Sequence, residues 1–305
     1  MLTYILQRLL WTIPVLLAVA IITFTLMHLV PGGPWDSDKR LSAQAEENLN
    51  QRYGLDKPLP EQFFDYLTGL AQGDLGVSYR NVNRPVRDII LDGASVSATL
   101  GLAALVLAVV VGVSVGLLAA LRQNSAIDYA SVGLVTIGAS LPSFVLGMLL
   151  LVVFSAELHW LPTGGWGSVE QAIMPVIALA ILPAAYLARI TRASMLDVLG
   201  QDYIRTARSK GLREQAIVVR HVVRNGMIPV LTVIGPVAAV LLTGSFIIES
   251  LFAVPGVGRT FVTSIGARDY GVIMGTTLFY TIIVVLANLA VDIAYVFVDP
   301  RIKYE

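Results

Sequence analysis

The sequence predicts an all-α integral membrane protein: six transmembrane helices, an extracytoplasmic insert after helix 1, and a cytoplasmic hairpin between helices 4 and 5. Three observations carry that prediction. Of 305 residues, 56% are hydrophobic and 14% charged, where a soluble domain carries roughly a quarter charged. Six predominantly apolar runs reach the roughly 20 residues that cross a bilayer. The basic residues between those runs are unevenly distributed.

The first run, 9–30, is too long for a signal-peptide core, and the PGGPWD after it lacks an A-x-A cleavage site, so an uncleaved membrane helix is expected. Residues 31–96 form the insert. Within it, Ser42 is placed as the N-cap of a helix ending at Tyr53, with Gly54 behind it. Pro58 and Pro60 break the chain, and a second helix is expected over Gln62–Ala71. Gly73, Gly76 and Pro85 mark turns, and a flanking helix from Val86 to about Leu91 leads into the second run, 97–121. The insert reads either as a solvated connector or as a docking surface. The third run, 131–156, carries Gly133, Gly138, Ser140 and Gly147, small residues that suit close helix packing. The fourth, 170–190, is interrupted by Pro175 and Pro183, and the fifth and sixth lie at 230–250 and 272–297. No separate water-soluble domain is visible, so 1–305 reads as one membrane domain.

Orientation follows from the short loops. The 157–169 loop has Glu157 and no Lys or Arg, whereas 191–229 has Arg192, Arg205, Arg208, Lys210, Arg213, Arg220 and Arg224. Positive-inside bias puts 191–229 in the cytoplasm. Both termini then lie inside, with Arg8 at one end and Arg301 and Lys303 at the other, and 31–96 lies outside.

The stretch Asp202–Pro229 reads as two short helices hinged at Gly211. Asp202 is placed as the first N-cap, Ile204 and Ala207 give an apolar face, and Gly211 takes the position just past the helix end. Glu214 opens the second helix, which is expected to end at Gly226–Pro229. The segment is either a topology loop lying on anionic lipid or a docking element for another protein. Loop charge alone does not require two specified helices, which favours docking.

Composition narrows the chemistry. There is no cysteine, so disulfides, thiol nucleophiles and cysteine-ligated metals are excluded. None of the four lysines follows a glycine, so the chain has no G-x-x-x-x-G-K-[ST] phosphate loop. His28, His159 and His221 are far apart and predicted on different sides, as interfacial or surface residues, and no metal site is expected. No G-x-S-x-G is present. Neither a Ser/His couple nor paired intramembrane Asp residues support an intramembrane enzyme. Zero net charge suggests no nucleic-acid partner. Asn288 and Asp292 share one face of the sixth helix, as a translocation or proton-relay pair or as a capping and pairing contact. Arg189 is expected to snorkel from the end of the fourth helix.

Several stretches, taken together, resemble a known family. They are ILQRLLWTIPVLLAV with LVPGGP, YGLDKPLPEQ, GDLGVSYR, LPSFVLG, HWLPTGGW, YIRTARSKGL with VVRHVVRNGMIPV, TGSFIIESLFAVPGVGR and DPRIK. They resemble permease subunits of binding-protein-dependent ABC importers, in the oligopeptide/dipeptide branch that also holds nickel and glutathione permeases. The resemblance spans essentially the whole chain. In that superfamily the hairpin is a Glu-Ala-Ala loop, three residues before a glycine. Aligned on Gly211 this chain has Arg205-Thr206-Ala207, so the glutamate is missing, and Gly211 to Pro229 is longer than the general pattern.

The resemblance implies an ATPase-coupling site over Tyr203, Ile204, Arg205, Thr206, Ala207, Arg208, Lys210, Gly211, Leu212 and Arg213. It further implies half of a translocation path, a second homologous permease, two ATPase subunits that bind ATP and Mg, and an extracytoplasmic solute-binding protein. No cofactor is implied in this chain. The cargo implied is a di- or oligopeptide, with nickel chelate, glutathione or oligosaccharide as alternatives, and the location a prokaryotic cytoplasmic membrane.

Overall fold

In a computed structural model the described residues are 2–35, 42–81 and 84–298. Arg301, Lys303 and the closing DPRIK lie outside them, as does the side chain of Asp292. Among the described residues the regular structure is helical, with one isolated antiparallel bridge between Val77 and Pro85. They gather into two compact units: Met1–Ser97 with Pro255–Leu286, and Ala98–Val254 with the chain from Ala287 onward.

In the first unit, α1 (Leu2–Leu29) is apolar all round, with Leu10, Trp11 and Ile13 largely exposed, as suits a helix in lipid. The insert holds α2 (Ala43–Tyr53) and α3 (Leu59–Ala71). Ser42 caps α2 as expected, its Oγ accepting from the Ala45 amide at 3.3 Å, and Gly54 ends it at φ +66°. The second insert helix starts earlier than 62. Pro60 sits in its first turn, where a missing N–H costs nothing, so the proline opens α3 instead of breaking the chain. Gly73 and Gly76 turn at φ +80°. The expected flanking helix and second span are one helix, α4 (Val86–Leu121), 36 residues or about 54 Å long. The unit also contains α12 (Val257–Ala267) and most of α13 (Tyr270–Val298). The Val257 amide donates to Ser97 Oγ at 3.0 Å, fixing α12 to α4. Asn288 is exposed on α13.

The second unit corrects two spans. The 131–156 run is not a single straight helix: α5 (Ala126–Ser140) and α6 (Ser143–Leu150), with its continuation Leu151–Glu157, meet at 99°. Pro142 is the cause, because it forces Leu141 out of the helical region to φ −88°, ψ 136°. Among the described residues five helices are therefore long and apolar enough to span, or six if this bent pair counts as one. α7 (Val169–Leu199) runs through Pro175 and Pro183 without a break. The fifth span is displaced: one helix covers Glu214–Leu242, and Phe246–Leu251 is a separate short helix, α11, after Gly244 at φ +87°.

The core of this unit is a small-residue crossing of α4 on α7. Buried Ala104, Ala108, Ala180, Ala184 and Leu187 meet there with Val230 and Leu241. A Cβ at Gly116 would lie 2.5 Å from the Ala188 carbonyl oxygen, and one at Gly112 2.7 Å from that of Ala184. These glycines form a GVSVG run that lets two backbones touch. Gly116→Val is expected to cost about 2–3 kcal/mol by forcing α4 off α7, read as a lowered unfolding midpoint in detergent. An unchanged midpoint rejects this contact. Of the residues expected to pack, Gly138 and Gly147 do, against Ile181 and Leu251, whereas Gly133 meets nothing within 4 Å.

Candidate functional site

The hairpin is built outward from the end of α7. Gly200 and Gln201 close that helix, and Gln201, extended at φ −76° and ψ 147°, is the residue before α8 (Asp202–Ser209). The expected cap at Asp202 is thus moved by one: Asp202 is already helical, where its carboxylate favours the helix N-terminus. Ile204 and Ala207, three apart, turn into a cluster with Ala120, Met195, Ile217 and Val222. α8 ends in a paired closure, with the Gly211 amide on the Arg208 carbonyl (2.9 Å) and the Leu212 amide on that of Ala207 (3.3 Å). That geometry needs a left-handed residue, and Gly211 supplies it at φ +72°.

After the turn, α9 (Glu214–Ile217) starts and does not stop at Gly226–Pro229 as expected. It passes through a wider, π-wound stretch, Val218–Val223, into α10 (Arg224–Leu242). Gly226 fails to end the helix because it is a contact point: a Cβ there would meet Met195 Sδ at 2.5 Å, and Ser194 Oγ donates to its carbonyl. Arg208 pairs with Glu214 across the turn at 2.7 Å, and Asn225 Nδ2 donates to Tyr203 Oη at 3.0 Å.

The ten residues expected at the site divide in two. Ile204 and Ala207 are buried and anchor the hairpin. Tyr203, Arg205, Thr206, Arg208, Lys210, Gly211, Leu212 and Arg213 are exposed together. The outward face thus carries four cations and two exposed hydrophobic side chains, Tyr203 and Leu212.

Sequence reasoning missed a second feature of this end. Arg192, counted only as topology charge, donates to Asp128 through Nε (2.7 Å) and Nη2 (2.8 Å). Asp128 is 2% exposed, in the first turn of α5, and also accepts the Asn124 amide. The forked pair fixes α5 to α7 one turn before Met195, which supports α8. The available signal was one acidic residue just behind a Ser cap, Ser125-Ala126-Ile127-Asp128.

In the first unit the insert is held as firmly. Asp269, just before α13, accepts from Ser78 Oγ, the Tyr79 amide (3.0 Å) and the Val272 amide (3.3 Å). Arg80 reaches the carbonyls of Ala267 and Pro34, each at 2.7 Å. Rings run in sequence through Trp35, Tyr53, Tyr79, Tyr270, His28 and Phe24, with neighbouring centroids 4.2–6.2 Å apart. His28 is therefore half-buried in an aromatic group, not a surface residue. Burial pushes the Tyr79 hydroxyl above its ordinary pKa, with the Asp269 charge adding to the shift. Asp65 holds the Lys57 ammonium at 2.5 Å and raises its pKa.

The profile described as "Binding-protein-dependent transport system inner membrane component" matches residues 112–304, and that of the N-terminal membrane component matches 1–103. The dipeptide transport system permease protein DppB of Bacillus subtilis is 44% identical over 288 residues, 94% of each chain. The oligopeptide transport system permease protein OppB of Escherichia coli K12 is 41% identical over the full length of both. Among solved structures, inward-facing MetNI methionine ABC transporter matches with a TM-score of 0.55 at 18% identity, over 69% of this chain and 96% of that one. An amino acid ABC transporter matches at 0.54 and 18%, over 71% and 95%. The structural likeness concerns the fold alone.

Proposed function

The chain belongs to the binding-protein-dependent transport system inner membrane component family, and from that premise we propose that it is the permease subunit of an ATP-driven importer of di- and oligopeptides. One observation carries the reading: end-to-end similarity, above 40% identity, to permeases named for dipeptide and oligopeptide transport. The chain is a multi-pass membrane protein and a transport component, not an enzyme.

Energy then arrives from elsewhere. ATP and Mg bind in two partner ATPase subunits, and α8 seats in a groove of one of them. A second, homologous permease completes the path, and a solute-binding protein delivers cargo on the side of residues 31–96. Both termini face the cytoplasm of a prokaryotic cell. The hairpin supports this role because two buried side chains hold it to α7 and α9 while eight neighbouring residues face outward. Motion imposed on α8 is passed through Met195 and Ile217 to the membrane helices, as a rigid-body displacement between two arrangements. Arg205, Arg208, Lys210 and Arg213 favour a groove with acidic walls, consistent with arginine standing in the glutamate position.

The test is purification through a tagged copy of this chain, followed by reconstitution with labelled dipeptide. ATPase co-purification and ATP-dependent uptake are expected; uptake without ATP, or none with an intact complex, overturns the proposal. At the hinge, Gly211→Val should leave insertion intact and lower transport several-fold. A Cβ at Gly211 meets nothing within 4 Å, so the penalty is the left-handed backbone alone, about 1–2 kcal/mol and higher for a β-branched side chain. Gly211→Asn, which tolerates that backbone, should transport nearly normally. Equal transport by the Val and Asn variants would sink this account.

A further inference from the structure

The apolar surface of α3 is wider than the chain itself covers. At about 100° per residue, Phe63, Tyr66 and Leu70 form one stripe of the helix, and Pro60, Phe64, Leu67 and Ala71 form a second beside it. The first stripe is already covered: Phe63, Tyr66 and Leu70 pack on Ala20, Met274 and Leu278, and the Phe63 ring lies 5.1 Å from that of Phe24. The second is largely uncovered among the described residues. Phe64 is 69% exposed, Pro60 and Ala71 are exposed, and Leu67 is half-buried. The rest of the circumference is polar, with Glu61, Asp65, Thr68 and Gln72 at the same spacing and Lys57 paired to Asp65. Single apolar residues on a surface are ordinary, whereas an apolar stripe at i, i+4, i+7 and i+11 marks a face that meets something apolar.

A groove of about 290 Å³ opens beside this stripe, between α3 and α1. Leu59, Pro60 and Phe63 line one wall, and Ile21, Thr25 and Leu29 the other. Pro60 belongs to both groove and stripe, so the two apolar surfaces are continuous. They run on into the exposed face of the first span, where Ile22, Leu26 and Leu29 lie. The α1 wall descends eight residues from Leu29 to Ile21, about 12 Å. That matches the roughly 5–10 Å to which an interfacial helix buries its apolar face. Ordered water needs two to four polar partners, which a groove with these walls does not offer. A protein seated on Pro60 would have to enter the hydrocarbon beside α1, where lipid already is.

We infer that α3 is a membrane-resting helix, lying in the leaflet at the C-terminal end of α1. Its Pro60–Phe64–Leu67–Ala71 stripe sits at the acyl boundary, lipid acyl chains fill the groove against α1, and Glu61, Asp65 and Gln72 face the headgroup water. The partner is the lipid surface itself. Lys57 and Asp65 neutralise each other beside the stripe, so the apolar contact and not a headgroup charge holds the helix there. The insert is thereby moored to the bilayer along α3 as well as through the spans α1 and α4 on either side of it. This holds whatever cargo the chain carries.

The chain has no cysteine, so one introduced cysteine carries a single nitroxide label. The test places labels through Phe64→Cys and Ala71→Cys on the stripe, Leu59→Cys at the groove, and Glu61→Cys and Gln72→Cys on the polar face. Each is read in phosphatidylcholine–phosphatidylglycerol nanodiscs, with the full chain alone and in the complex purified through its tag. Collision with oxygen, which concentrates in hydrocarbon, is compared with collision with a water-soluble nickel chelate. The oxygen-to-nickel ratio is expected to be several-fold higher at 64, 71 and 59 than at 61 and 72, in both preparations. Adding Phe64→Glu should lower the ratio at 71 toward that at 72. Because Phe64 is outside the packed stripe, this variant should melt in detergent where the parent does. A water-like ratio at 64 and 71 overturns the inference, and one at 59 alone overturns the acyl-filled groove. Exclusion of both reagents from 64 and 71, in the chain alone or only in the complex, reveals a protein cover and also overturns it. So does a ratio at 71 that Phe64→Glu leaves unchanged.

Discussion

Replacing Arg192 by methionine is expected to cost about 3 kcal/mol of stability and to abolish transport. Asp128 is almost wholly buried, and two of its hydrogen bonds come from Arg192, so the substitution strands a carboxylate away from water. Removing one partner of a buried pair costs about 3–5 kcal/mol. The low end applies because the Arg192 side chain is 29% exposed. Arg192→Lys should fall between, since an ammonium cannot fork across two carboxylate oxygens. The double variant Asp128→Leu with Arg192→Met should regain most of the loss, because a buried pair exchanged for apolar groups is often neutral. A denaturant titration of the four proteins measures all of this. If Arg192→Met unfolds where the parent does and still transports, the pair does not hold α5 to α7.

Ile204→Asp should have a comparable effect by another route, about 3–5 kcal/mol against the docked hairpin. Ile204 is fully buried among Met195, Ala207, Ile217 and Val222, with no cation beside it in that cluster. An eight-residue helix has little stability of its own. The carboxylate is therefore accommodated by unseating α8 rather than by unfolding the spans. Faster tryptic cleavage at Arg205, Arg208 and Lys210 should follow, with membrane insertion preserved and ATP-driven uptake lost. Arg205→Ala, which changes an exposed side chain, should leave cleavage at Arg208 and Lys210 unchanged. Normal protease resistance in Ile204→Asp would show that the cluster does not anchor the hairpin.

What could be read from the sequence depended on how local the cause was. Ser42, Gly54 and Gly211 act on backbone groups within five residues of themselves, so their roles at helix ends were legible. Hydropathy located the spans, but it is blind to φ and ψ. It therefore ran straight through Leu141–Pro142, where the helix bends, and cut the fifth span short of Glu214. Gly226 and Pro229 look like a stop, yet Gly226 is set by Met195, 31 positions away. The Asp128–Arg192 pair bridges 64 positions, and nothing in its neighbourhood distinguishes Arg192 from the other basic residues of that loop. A cavity in the insert is assembled from five separate segments, so no single stretch of sequence announces it.

The π-wound turn at Val218–Val223 works as slack in the helix. Each ordinary helical residue advances the azimuth by about 100°, so one codon added to a uniformly wound helix would swing everything beyond it by that angle. A turn closed by i→i+5 bonds holds one residue more than a turn closed by i→i+4 bonds, and so takes up that residue at nearly unchanged azimuth. Reading-frame-preserving insertions and deletions that create or erase such a turn thus leave Arg213–Ile217 aimed as before, while changing the 29-residue helix by only about 1.5 Å.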